Sequence, residues 1–205
     1  MKIQEALKEL RSLEKKKFDQ SIDLIVNLKK IDPKRDQVNT VVTLPHKFKE
    51  KKVCGFLTKK STLVETITEP EFQRYKDKKE LKNLVKRYDY FIASAPLMGK
   101  VATVFGKILG PAGKMPSPQL GVIMHEDDKN IKESLDKISK SLKIRLKEAS
   151  LKLIVGKETS KDADIEENIL AVYKAIENAL PKKRENVRNV MIKLTMSKPI
   201  KIEVI

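Results

Sequence analysis

The hydrophobic period of this chain changes several times, and a segment built with one period cannot serve an element that needs another. Ile3, Ala6, Leu7, Leu10 and Leu13 recur at three- and four-residue steps, with Lys2, Lys8, Glu9 and Arg11 between them. That spacing predicts an amphipathic helix closing on the lysines at 15–17, cations well placed at a helix C-terminus. From residue 18 to 28 the period drops to two: Ile22, Leu24, Val26 and Leu28 alternate with Asp23 and Asn27, and only Ile25 breaks the pattern. A half-buried strand is expected there. Asp32-Pro33 marks a turn, a second strand spans 38–44 before Pro45, and the short apolar run 53–57 reads as a third.

From about residue 63 to 142 helices and strands alternate: helix 80–87, strand 90–95, helix 98–109, then a helix carrying Ile131, Leu135, Ile138 and Leu142. This rhythm predicts βα units and a partly parallel sheet. Residues 110–121 hold three Gly and three Pro, which predicts irregular backbone. Strands return at 143–147 and 152–155. A last helix starts near Asp164, with Glu167 three residues on as an acidic variant of the capping box, and buries Ile165, Ile169, Tyr173, Ile176 and Leu180 before Pro181. Strands 187–194 and 199–204 end the chain, which has no internal repeat.

Composition narrows the partner. Lys plus Arg number 44 against 28 Asp plus Glu, a formal charge of +16 that self-repels unless a polyanion is bound. The hydrophobic fraction, 40%, suits a folded body carrying that charge on its surface. No stretch approaches the roughly 18 to 20 apolar residues of a membrane span, and with tryptophan absent and aromatics at 5% a membrane-surface helix is disfavoured. The same scarcity argues against proteins that stack single-stranded bases on aromatic platforms. Nucleic acid recognised by its phosphates, sugars and folded shape is the remaining class. One cysteine, Cys54, excludes an intramolecular disulfide and a Cys-rich zinc cluster, and suits a reducing, intracellular setting.

Catalytic signatures are missing. His46 and His125 have no HxH or HExxH spacing and read as surface histidines, with no metal implied. There is no GxGxxG, and the Gly-Lys pairs ending at 100, 107, 114 and 157 carry Ser94, Val101, Ile108 and Leu151 where a phosphate-cradling loop needs its first glycine. Ser94 has no nucleophile elbow and Cys54 no nearby histidine. The lysine runs at 15–17, 49–52, 59–60 and 182–184 each read singly as a solvated surface; together they call for a partner. Phe18, beside Lys16 and Lys17 at a helix-to-strand transition, is open to two readings, a core residue or a nucleic-acid contact.

The stretch Phe105-Gly106-Lys107-Ile108-Leu109-Gly110-Pro111-Ala112-Gly113-Lys114-Met115-Pro116-Ser117-Pro118 resembles the signature of the family of large-subunit ribosomal protein number one, the protein of the mobile stalk beside the tRNA exit site. Lys17-Phe18-Asp19-Gln20-Ser21 resembles the family's first RNA-binding segment. Residues 32–37 with Leu44-Pro45-His46 resemble its early strand and turn, and 190–196 its closing strand. The short chain ends resemble the archaeal form.

The resemblance implies an α/β fold of two domains: a split two-layer α+β domain built from both chain ends, 1–64 and 142–205, and an inserted Rossmann-like three-layer α/β domain, 65–141. With those boundaries the insertion carries 14 basic and 11 acidic residues and the flanks 30 and 17, so the charge concentrates on the domain that binds RNA in the family. It further implies RNA contacts at Phe18, Ser21, Lys152, Asn189, Thr195, Met196 and Ser197, with Lys17 on a phosphate. Three departures stand out: Ser197 replaces a family glycine, which bears on a close backbone approach or a positive φ; Asn189 stands where many members have Ser; Lys152 stands where His is frequent. The implied function is a non-catalytic constituent of the large subunit, cytoplasmic and ribosome-associated, a monomer when free and without cofactor. Its implied partners are large-subunit rRNA, exit-site tRNA whose release it assists, and its own mRNA as a repressor. A ribosome-assembly factor of the same fold is the alternative, disfavoured because the chain stops after its final strand; a nucleotide-dependent enzyme is a third reading, without a phosphate loop to support it.

Overall fold

The computed structural model describes residues 1–14, 16–33, 35–36, 38–118 and 120–204, without the side chains of Lys76 and Lys78; Lys15 and Gln37, which fall in segments noted above, lie outside the described residues. The chain runs through α1 (Ile3–Ser12), β1 (Ser21–Leu28), β2 (Asn39–Thr43), β3 (Val53–Phe56) and β4 (Glu65–Ile67), then a 3₁₀ segment at Glu69–Lys76. It continues with α2 (Lys78–Arg87), β5 (Tyr90–Ser94), α3 (Met98–Ala112), β6 (Val122–Ile123) and α4 (Asp128–Lys140). Last come β7 (Ser141–Arg145), β8 (Ser150–Lys157), α5 (Asp162–Ala179), β9 (Val187–Leu194) and β10 (Ile200–Ile202). Two compact units result, one from residues 1–49 and 140–205 and one from 50–139.

The split unit is built on an antiparallel sheet in the order β10-β9-β1-β8. The two-residue period of β1 sends Ile22, Leu24, Val26 and Leu28 to one face, where they share a core with Leu7 and Leu10 of α1 and Ile169, Val172 and Ile176 of α5. Both helices cover that face, so the unit has two layers. A separate pair, β2 with β7, matches Val42 to Leu142. Leu142 is therefore a strand residue: the spacing 131, 135, 138, 142 fits a helix, but cross-strand pairing claims the chain from Ser141 onward. The capping box expected at Asp164 does not form either. α5 begins at Asp162, which is bonded to Arg11 at 2.7 Å, and Glu167 turns to His46 at 2.8 Å.

The inserted unit holds a fully parallel sheet, β4-β3-β5-β6. Phe91 and Ala93 of β5 face α2 and α3 in a core with Phe56, Leu84, Val101 and Phe105, while Ile92 faces Ile131 and Ile138 of α4. Helices on both sides give the three layers expected for this kind of insertion. The junction lies at 49/50 and not 64/65, because β3 pairs with β4 and β5 and buries Cys54 and Phe56 completely in this unit. Burial, with Glu65 adding to it, pushes the Cys54 thiol up to about 12, which leaves it inert. With the observed boundary the split unit carries 27 basic and 16 acidic residues and the insertion 17 and 12, so the charge still favours the split unit.

The Gly/Pro segment is partly helical. α3 runs on through Gly110 and Pro111 to Ala112, and Gly113, at φ 70°, ends it in the left-handed conformation. Lys114 Nζ then donates to the carbonyls of Val85 and Tyr88, each at 2.7 Å, satisfying groups at the end of α2 that the helix itself leaves open. A Cβ on Gly121 would lie 2.9 Å from the Phe91 carbonyl oxygen, so the backbone closes there only with glycine. The signature residues thus act on the architecture of the insertion.

The chain leaves and re-enters the split unit at adjacent points: Thr43 pairs with Ser141, and the Leu44 N–H donates to the Lys140 carbonyl at 2.7 Å. Joining residue 49 to residue 140 through a short glycine linker is expected to leave a domain with a single cooperative thermal transition. Joining 64 to 142 strands β3 without its neighbours and should give an aggregating product. A cooperative transition from the second variant and none from the first would refute the boundary.

Candidate nucleic-acid interface

Because β1 buries every second side chain, the alternate set of Ser21, Asp23, Ile25 and Asn27 stands half-exposed on the uncovered face of the sheet. Register supplies the neighbours. Asn27 lies opposite Asn189, Ile25 between Met191 and Lys152, and Asp23 between Lys193 and Ile154, while Met191 also faces Lys201. From Ser21 to Asn27 the face extends about 20 Å at the usual rise per residue. Its middle is apolar, with Ile25, Met191 and Ile154, and three lysines border it. The Asn27 amide donates to Asn189 Oδ1 at 2.7 Å, which fixes the far end.

At the near end, the start of β1 meets the turn after β9. The Ser21 N–H donates to Thr195 Oγ1 at 3.1 Å, and the Thr195 N–H donates to the Ser21 carbonyl at 3.1 Å. Among the described residues the hydroxyl hydrogen of Thr195 has only a long acceptor, the Ser21 carbonyl at 3.4 Å, so it can turn to an outside oxygen. Gln20, 3% exposed, accepts from the Met196 N–H at 3.2 Å and donates to Glu158 at 3.3 Å, and so holds the turn against the body. Met196 is left 68% exposed and Phe18 52%. Phe18 is therefore a surface residue. It lines a depression with Arg11, Lys16 and Lys17, and Met196 lines a second with Leu13, Lys198 and Ile200; Lys16 borders both.

Ser197 does not take a positive φ. Its hydroxyl accepts from the Leu194 N–H at 2.9 Å and its own N–H donates to the Leu194 carbonyl at 3.1 Å, so the serine closes the turn that glycine would otherwise make. Lys17, Phe18, Ser21, Thr195, Met196 and Ser197 gather at this end. Lys152 sits mid-face, and Asn189 lies six residues of β1 from Ser21. The sequence reading missed Met191, Lys193 and Ile154, and the hub Gln20. Ile25, the one break in the alternation, was the available sign that the second face carries apolar surface.

Carboxylates also sit among these cations: Asp19 and Glu158 line the first depression, Glu9 and Glu14 the second, and Asp23 stands on the face. A hydrogen bond from Lys157, at 3.1 Å, holds Asp19 below its ordinary range. Asp23 is shifted the other way: burial raises its pKa, and the charge of Lys193 offsets only part of the rise. Ionised Asp23 thus disfavours the folded state, a penalty present above its folded pKa and lost as the carboxyl protonates. Asp23→Asn is expected to raise the melting temperature at pH 7, with the gain shrinking as pH falls toward about 4. A gain independent of pH in scanning calorimetry would assign the effect to packing.

Residues 10–198 match the model of the Ribosomal protein L1p/L10e family. The large ribosomal subunit protein uL1 of Pyrobaculum islandicum is 34% identical over 97% of this chain and 90% of its own length. That of Pyrococcus horikoshii is 34% identical over 98% and 95%, and that of Archaeoglobus fulgidus 30% over 98% and 94%. With the family match and these relatives each spanning most of its length, the chain belongs to the ribosomal protein L1p/L10e family.

Proposed function

We propose that this chain is a structural, non-catalytic protein of the large ribosomal subunit, binding a folded segment of large-subunit rRNA at the mobile stalk through the open face of β10-β9-β1-β8. The observation that carries the reading is the pairing of two exposed apolar side chains, Phe18 and Met196, with a lysine-bordered sheet on the more basic of the two units. Phe18 and Met196 offer a floor for ribose and base faces in a shallow minor groove, Lys16, Lys17 and Lys152 take phosphates, and Thr195 donates to a sugar or phosphate oxygen. Asn189 both donates and accepts, and Ser197 shapes the turn without contacting RNA through its occupied hydroxyl. In this reading the protein is cytoplasmic and ribosome-associated, a monomer when free, and by ordering the stalk it assists deacylated tRNA out of the exit site. A similar fold in its own mRNA would compete for the same face and repress translation.

Charge alone gives salt-sensitive, unspecific affinity. The purified protein is therefore expected to bind the stalk rRNA fragment far more tightly than a random duplex of equal length in filter binding at physiological salt. Coinciding affinities would remove the main support for the reading. Thr195→Val keeps the shape and deletes one hydroxyl, so it should cost about 1–3 kcal/mol of binding while the melting temperature stays close to wild type. Unchanged affinity in a well-folded Thr195→Val protein would put the contact elsewhere.

A further inference from the structure

The parallel sheet of the insertion runs in the order second, first, third, fourth strand of the unit, so the chain direction across the sheet reverses between β3 and β5. Outside the carboxyl ends of the strands at such a point lies the crevice where open α/β sheets take anionic ligands. Here that crevice holds a carboxylate of the same chain. Glu126, three residues beyond β6, accepts the Thr58 N–H at 3.0 Å on each oxygen, the Thr58 hydroxyl at 2.6 Å and the Lys59 N–H at 3.3 Å. Two successive backbone N–H groups and a hydroxyl converging on one anion make a seat for an oxyanion.

We propose that the β3/β5 crevice is a small-oxyanion site whose resident is the tethered Glu126 carboxylate, and that removing this side chain leaves a site open to a free carboxylate or inorganic phosphate. Burial alone would raise the Glu126 pKa, but the donors from Thr58 and Lys59 outweigh it and hold the group below its ordinary range, so the seat is occupied by a full negative charge at neutral pH. A tethered anion acts at an effective concentration of the order of millimolar or more, so free phosphate does not compete in the unaltered chain. The same contact staples the segment between β6 and α4 to the loop after β3. The insertion therefore has the anion seat of a nucleotide-binding sheet, closed by its own side chain. This inference is independent of the rRNA reading, which concerns the other unit.

The test uses the full chain with Glu126→Ala, melted at pH 7 in chloride, acetate or phosphate at matched ionic strength. Glu126→Ala should melt below wild type in chloride and regain about 2–4 °C, saturably, in acetate or phosphate. Wild type should not respond beyond the general effect of anions on a basic protein. Adding Thr58→Val to Glu126→Ala removes the hydroxyl that donates at 2.6 Å and should sharply reduce the regain, which separates the seat from anions bound to surface lysines. An acetate response without a phosphate response restricts the seat to carboxylates, and the reverse restricts it to phosphate; either supports it. Equal responses in wild type and Glu126→Ala, no anion response in Glu126→Ala, or full rescue of the double variant would each overturn it. If Glu126→Ala does not purify folded, refolding in acetate against chloride carries the comparison, and failure to recover in either overturns the proposal.

Discussion

Everything in the split unit depends on β1 lying between β8 and β9. The strand comes from the first thirty residues and both partners from the last sixty, so the pairing closes the whole insertion as a loop. Loop closure grows only slowly in cost with length, which is why a unit of about ninety residues can be accommodated inside another domain. What repays the closure is burial on one face of β1, with Ile22, Leu24 and Val26 at 2% exposure or less. The two-residue period then has an unavoidable consequence. Whatever faces away from the core is presented as a row with fixed spacing, and here that row sets Ile25 among Ser21, Asp23 and Asn27, beside Met191 and Ile154 and bordered by lysines. The candidate interface is the other side of the interaction that folds the unit.

The insertion reaches its order by a different route. Its sheet is buried on both faces, its aromatic side chains converge, with the Phe56 and Phe105 rings 4.7 Å apart, and the Gly/Pro signature shapes its helix ends. Lys114 shows how little of that signature is about ligands: its charge goes to two backbone carbonyls at the end of α2. A conspicuous motif can thus be architectural, while the turn 195–197, with no compositional mark, lies at the exposed end of the open face.

How far the sequence could be read follows from the same physics. β1, α1, α5 and β9 are long and strongly periodic and were legible, although α1 ends at Ser12, before the lysines expected to close it. β4 and β6, three and two residues long, carry no period and exist only through parallel pairing. The first junction was misplaced because a run such as 53–57 does not say which sheet it joins; β5, more than thirty residues on, decides. Leu142 and Pro111 were misread where tertiary pairing and a tolerant last helical turn override local preference. The residues around Thr195 came from family resemblance, since hydrogen bonds between Ser21 and Thr195 span 174 positions and leave no local trace. The Glu126 seat joins two loops 68 positions apart and was invisible for the same reason.

The six methionines are distributed so that one experiment reads the interface. Met191 and Met196 belong to the open face and its end, whereas Met98, Met115 and Met124 belong to the insertion. Methyl NMR of methionine-labelled protein, titrated with the stalk rRNA fragment, should shift or broaden Met191 and Met196 in proportion to complex formed and leave Met98, Met115 and Met124 in place. Shifts confined to the three methionines of the insertion, with Met191 and Met196 unmoved at saturation, would contradict binding through the open face of the split sheet.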